Sequence, residues 1–186
     1  MSRREVWLSA GAVFVVALVV RLWAASFVVF ARPEDAAYYV NVAQHLVAGR
    51  GLVSDAIWSY QTPPLTFPRP AFEVWLPLPS FLYALPMLVL GQTLFAAQLA
   101  SAVIGSIVAV LAWRLGLDVL TRIGDGHGSP PSISRVRAVS LGSGLTAAVF
   151  LPLVLASVEP DSTAPFAALA LGACLLIYRL ARPYAV

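Results

Sequence analysis

Glu34 and Asp35 stand side by side at the point where a very apolar chain first turns polar, in the stretch 33–51, PEDAAYYVNVAQHLVAGRG. A second acidic turn, VEPDS, places Glu159 and Asp161 between two later apolar runs. Carboxylates at a boundary between water and lipid are partly desolvated and repel one another. Both effects raise a pKa and suit a general base that takes a proton from a hydroxyl. The same oxygens also suit a divalent cation, with Glu34, Asp35 and Asp161 as candidate ligands. Taken singly, each acid has a plainer role: Asp35 as the N-cap of the helix that follows, Asp161 or Ser162 as the cap of a helix entered just before Pro165. Two such sites on one face of a bundle carry chemical content that neither has alone.

The elements that must hold those acids are membrane helices. Apolar residues make up 60% of the 186 and charged ones only 11%, and several runs exceed the roughly 18 residues needed to cross about 30 Å of hydrocarbon. The expected fold is all-α and integral to the membrane, a single unit over 1–186 with about four spans at 6–31, 94–116, 138–158 and 163–180. Between the first two lies a long outer loop, 32–93, and between the second and third a cytoplasmic loop, 117–137. The run 6–31 is too long for a secretory signal and lacks a good cleavage site, so it reads as an uncleaved helix. Within it Arg21 stands out. A buried arginine costs at least about 2.5 kcal/mol on insertion scales, so it either snorkels or faces a polar interior with an acidic partner.

The outer loop is expected to hold two helices. Over about 35–48, Tyr39, Val42, Ala43, Leu46 and Val47 form an apolar face, with Asn41, Gln44 and His45 away from it. A short amphipathic helix of this kind, with two tyrosines at its start and Gly49 and Gly51 at its end, belongs in the interface. Residues 52–73 lose periodicity and carry Trp58, Tyr60 and several prolines, an aromatic loop too apolar for a linker. The segment 75–90, WLPLPSFLYALPMLVL, has span-like hydropathy interrupted by Pro77, Pro79 and Pro86. Arginine distribution decides its reading. With about 76–90 interfacial or re-entrant, eight arginines (3, 4, 114, 122, 135, 137, 179, 182) lie on the cytoplasmic side and three (32, 50, 69) outside. With that segment spanning, two arginines lie inside against nine outside, against the positive-inside rule. The N-terminus is therefore expected in the cytoplasm, and both acidic loops outside the cell membrane.

Other features are structural. Ala97, Ser101, Gly105 and Ala109 form a small-residue stripe for close packing inside one bundle. Cys174, the single cysteine, lies in an apolar run and excludes a disulfide or zinc framework. The glycine-rich IGDGHGSPPS has no preceding strand and no following lysine, so it does not read as a phosphate loop, and His127 within it reads as solvated. Arginines at segment ends give orientation rather than a nucleic-acid surface.

A first span, an acidic pair before YY, an amphipathic helix ending in GRG, a W-x-P-L helix, a span ending in arginine, and a P-D-x-x-x-x-F turn after the third span together resemble the start of a GT-C-fold glycosyltransferase. The resemblance covers roughly 6–182 and is to family 39, which holds the protein O-mannosyltransferases and the lipid A aminoarabinose transferase. It implies transfer of a sugar from a polyprenyl-phosphate carrier to an acceptor hydroxyl on the outer face. The family's first-loop Asp-Glu pair falls on Glu34 and Asp35, in reverse order, which leaves open which is the base. Its second acidic site falls on Asp161. Candidate substrate-binding residues are Arg21, Tyr38, Trp58 and Arg69, with the two arginines nominated for the phosphate leaving group. Family members continue through further spans that complete the carrier-lipid site, so this chain is expected to be an N-terminal portion that needs a missing C-terminal half or partner subunit. Two other readings stand beside it: a non-catalytic membrane accessory or lipid-binding subunit, and, third, a small transporter using Arg21 with Glu159 and Asp161.

Overall fold

The computed structural model describes residues 1–32, 34–57, 66–126 and 131–181. It is helical almost throughout, with α1 Arg3–Ala25, α2 Glu34–Val47, α3 Leu78–Leu90, α4 Leu94–Gly126, α5 Ile133–Val149, α6 Leu151–Val158 and α7 Thr163–Leu180. Two residue pairs, β1 Val53–Ser54 and β2 Arg69–Pro70, form an antiparallel ladder inside the stretch expected to be irregular. Helices α1, α4 and α7 are long and apolar enough to cross a membrane, and α5 with α6 makes a fourth span if that bent pair is taken as one. The 13 residues of α3 extend only about 20 Å, short of a bilayer core.

Several boundaries differ from those expected over the same residues, each for a local reason. Helix α1 begins at Arg3 because Ser2 and Glu5 form a capping box, with Ser2 Oγ accepting the Glu5 amide at 3.3 Å and Glu5 Oε2 accepting the Ser2 amide at 2.9 Å. It ends at Ala25 although the apolar run continues to Ala31: hydropathy marks what lipid tolerates, not where the backbone stays helical. Helix α4 overshoots in the other direction, running to Gly126 through residues expected to be loop. Its last turns are supported by ion pairs of Asp118 with Arg114, 3.1 Å, and with Arg179 of α7, 2.6 Å, and by Arg122 stacked 3.9 Å over Tyr178. The expected single span 138–158 is instead two helices bent by 50° at Phe150. The cause is Pro152, whose ring nitrogen cannot donate to the carbonyl of Ala148.

Two apolar clusters divide the core. One joins Val13 and Ala17 of α1 to Ala109, Trp113 and Leu117 of α4 and Val136 and Ala148 of α5. The other joins α2 (Tyr38, Tyr39, Val42, Ala43) to Tyr83, Ala84 and Met87 of α3 and the start of α4 at Ala96 and Ala97. All four members of the small-residue stripe on α4 are buried within the chain. Helix α2 is buried on more than one side, against α3 and against the β1 segment. His45, expected on its polar face, is only 5% exposed. The left-handed Gly49, φ 73°, turns the chain out of α2 at a conformation that a side chain resists.

Candidate functional site

Helix α2 starts at the end of the bundle where α1 has finished, α4 begins and α6 meets α7. Its first turn carries Glu34 and Asp35, where two carboxylates are favoured by the helix dipole. Facing them is the four-residue turn from Glu159 to Ser162. This turn is short because α6 ends at Val158, and α7 restarts under a cap supplied by Asp161: its Oδ1 accepts the Thr163 amide at 2.7 Å and its Oδ2 the Thr163 hydroxyl at 3.0 Å. The capping role and proximity to the other acids therefore coexist in Asp161.

Electrostatics tie the two acidic segments together. The Asp35 carboxyl is held above its ordinary value, first by burial and then by the charges of Asp161 and Glu34. Glu159 is raised as well, by burial and by Asp161, with Arg32 acting in the opposite direction. Glu34 is exposed and Asp35 partly buried. Burial and the neighbouring carboxylates thus make the Asp35 carboxyl a stronger proton acceptor than an ordinary aspartate.

The turn is held from below by buried polar groups that sequence reasoning did not nominate. The Tyr83 hydroxyl, from a fully buried side chain, donates to the backbone carbonyl of Asp161. Gln98, 2% exposed, donates from Nε2 to Val158 O at 3.1 Å and to Val28 O at 3.3 Å, joining the end of α6 to the segment after α1. Tyr39, placed on the apolar face by periodicity, sets its phenol beside Ser162, and burial together with Asp35 and Asp161 raises its pKa. Gln98 carried a readable signal, being an amide inside an apolar span. Tyr39 and Tyr83 did not, since a tyrosine on an apolar face reads first as packing.

Other nominated residues lie elsewhere. Tyr38 turns toward the loop: its hydroxyl accepts the Phe72 amide at 2.6 Å, fixing a residue at φ 67°. Arg69 makes a two-pronged ion pair with Glu73, at 3.0 and 3.2 Å. Trp58 lies outside the described residues. Arg21 does not snorkel, and among the described residues it pairs with no acid. It is fully buried and donates to Ser157 Oγ at 3.1 Å and to the carbonyls of Ala17, Ala148 and Ala147 at 3.1, 3.0 and 3.4 Å.

Among the described residues no group of three or more His, Cys, Asp or Glu side chains is arranged to hold a metal ion. The chain matches no protein-family model, no curated protein and no solved structure.

Proposed function

We propose that this chain is the membrane-embedded N-terminal portion of a glycosyltransferase that moves a sugar from a polyprenyl-phosphate carrier to an acceptor hydroxyl, with Asp35 as the general base. The observation that carries this reading is the raised Asp35 carboxyl facing Asp161 across two chain segments. A carboxylate raised above its ordinary value accepts a hydroxyl proton more readily than an ordinary surface carboxylate. In the proposed step the acceptor oxygen attacks the anomeric carbon as its proton passes to Asp35. The bond from that carbon to the carrier phosphate breaks, and polyprenyl phosphate leaves. Asp161 keeps Asp35 basic, and Glu34, exposed beside it, orients the acceptor. The arginine bias supports placing this end of the bundle outside the cell membrane, with the N-terminus in the cytoplasm.

A second reading, a non-catalytic accessory or lipid-binding subunit, draws on the two arginines nominated for the phosphate. Arg21 is engaged by carbonyls and Ser157, and Arg69 by Glu73. The transport reading needs Arg21 in line with Glu159 and Asp161, and the partners of Arg21 lend it no support.

The deciding experiment supplies polyprenyl-phosphate mannose and its congeners, one at a time, to membranes containing the chain together with whatever its gene neighbourhood encodes, and follows sugar transfer. Asp35→Asn is expected to lower transfer by roughly 100-fold or more. Transfer undiminished by Asp35→Asn and Asp161→Asn combined removes the proposal, and absence of transfer from every donor favours the accessory reading.

A further inference from the structure

Arg21 does more than sit in an apolar helix. Pro152 at the start of α6 has no N–H, so the carbonyl of Ala148, four residues earlier, has lost its helical donor. Arg21 supplies the replacement. Its Nη1 lies 3.0 Å from Ala148 O and its Nη2 3.4 Å from Ala147 O, both at the end of α5, while its Nε reaches Ser157 Oγ of α6 at 3.1 Å. Nη1 also returns to Ala17 O of its own helix at 3.1 Å. One rigid guanidinium thus touches α1 and both halves of the broken pair, which a lysine's single ammonium reproduces only in part.

The space for it is prepared by Gly105 of α4. A Cβ there would fall 2.0 Å from Ser157 Oγ and 2.7 Å from Arg21 Nε. At the far end of α6, Gln98 holds the carbonyl of Val158. Helix α6 is only eight residues long and runs straight into the Glu159–Ser162 turn, so whatever fixes its two ends fixes that turn.

We infer that Arg21 is a positioning residue for the acidic site: by clamping the 50° bend between α5 and α6 it sets Asp161 against Asp35. The inference builds on the reading of that site as functional, but its test needs no turnover. Its readout is the titration of Asp35 in the detergent-solubilised chain, followed by the carboxyl carbon resonances of 13C-labelled aspartate. Asp161→Asn calibrates the experiment by removing the neighbouring charge, which lowers the Asp35 midpoint by a measurable amount. Arg21→Ala is expected to lower it in the same direction, by up to the amount that Asp161→Asn removes, with helical content retained, and Arg21→Lys to recover part of the shift. Adding Pro152→Ala to Arg21→Ala restores a backbone donor for Ala148 without restoring the bend, so the Asp35 midpoint stays low. An unchanged midpoint in folded Arg21→Ala overturns the inference, as does full recovery in the double variant, which would leave Arg21 only the satisfaction of one carbonyl. Should Arg21→Ala fail to fold, Ser157→Ala, which removes the link to α6 together with the hydroxyl's own bond to the Leu153 carbonyl, decides: a lowered midpoint supports the clamp and an unchanged one overturns it. Loss of the glycosyltransferase reading, through transfer indifferent to Asp35, leaves these titrations as they are, so the two failures are separable.

Discussion

The Nε2 of His45 lies 2.7 Å from Oδ2 of Asp55, and Asn41 completes the clasp by donating to the same oxygen at 3.3 Å and accepting the Asp55 amide at 2.9 Å. This joins the last turns of α2 to the segment leaving β1, so the helix that begins with the acidic pair ends by holding its own loop. The hydrogen bonds from His45 and then Asn41 keep the Asp55 carboxyl below its ordinary value. A lowered carboxylate pKa stabilises the fold above the unfolded value, and that contribution is lost as pH falls through the folded one. Because Asp55 is exposed, the clasp contributes no more than about 1 kcal/mol. Asp55→Ala is therefore expected to speed hydrogen exchange at the amides of Ser54 and Asp55 by roughly 5-fold while the spans keep their protection. Unchanged exchange would show that β1 is held by its pairing to β2 instead.

Asp35 has the opposite sign. Its folded pKa is raised, so the folded state favours the protonated form, and stability is lost as pH rises through that folded value. At neutral pH Asp35→Asn should stabilise the chain, by at most about 1 kcal/mol after allowance for solvent screening at a partly exposed site. The gain should vanish in acid, below the ordinary Asp value of 3.8. Thermal unfolding in detergent at pH 7 and pH 3.5 reads this directly. A side chain serving only as a favourable charge at the helix start would give the reverse, a loss on substitution at pH 7.

How far the sequence reveals this arrangement depends on what kind of signal each part leaves. The stripe Ala97, Ser101, Gly105 and Ala109 is visible because helical spacing and small volume are both written in residue type, and those residues are buried where α4 meets its neighbours. Three or four apolar spans are likewise visible in hydropathy, and Ser2 with Glu5 is a readable capping signal for α1, but other helix ends are not: the extension of α4 past Gly116 rests on a tertiary ion pair from Arg179. Pro152 went unread within the expected span 138–158, and its consequence required knowing that Arg21, on a different helix, stands opposite the freed carbonyl. Tyr39 and Tyr83 were hidden for a related reason. Their rings satisfy the apolar pattern, and only the fold shows where the hydroxyls end.

Tyr83 supplies a third prediction. Its ring is fully buried between α2 and α4, and its hydroxyl is the donor to the Asp161 carbonyl. Tyr83→Phe keeps the packing and removes the donor, and losing one part-buried hydrogen bond costs about 0.5–1.5 kcal/mol. The loss should appear in equilibrium unfolding, with faster exchange at the Thr163 amide as the turn loosens. Tyr38→Phe, by contrast, should loosen Phe72 and leave Thr163 unaffected, because Tyr38 bonds the loop.

The two glycines of α5 should behave in opposite ways although only one residue separates them. A Cβ on Gly144 would meet Trp113 Cβ at 2.6 Å and Val13 Cγ1 at 3.1 Å, where α1, α4 and α5 converge around an indole only 2% exposed. Neither contact is the free end of a flexible chain, so the helices must part to admit a methyl group. Gly144→Ala is expected to destabilise by about 1–3 kcal/mol. Gly142 has nothing within 4 Å of the same position. There the substitution only removes backbone freedom from a helix interior, so Gly142→Ala should be neutral or stabilising by up to about 1 kcal/mol. Unfolding of the two variants side by side tests the packing of the bundle independently of any activity: equal effects would mean that α5 does not press against Trp113 in the membrane, and the close three-helix approach would have to be abandoned.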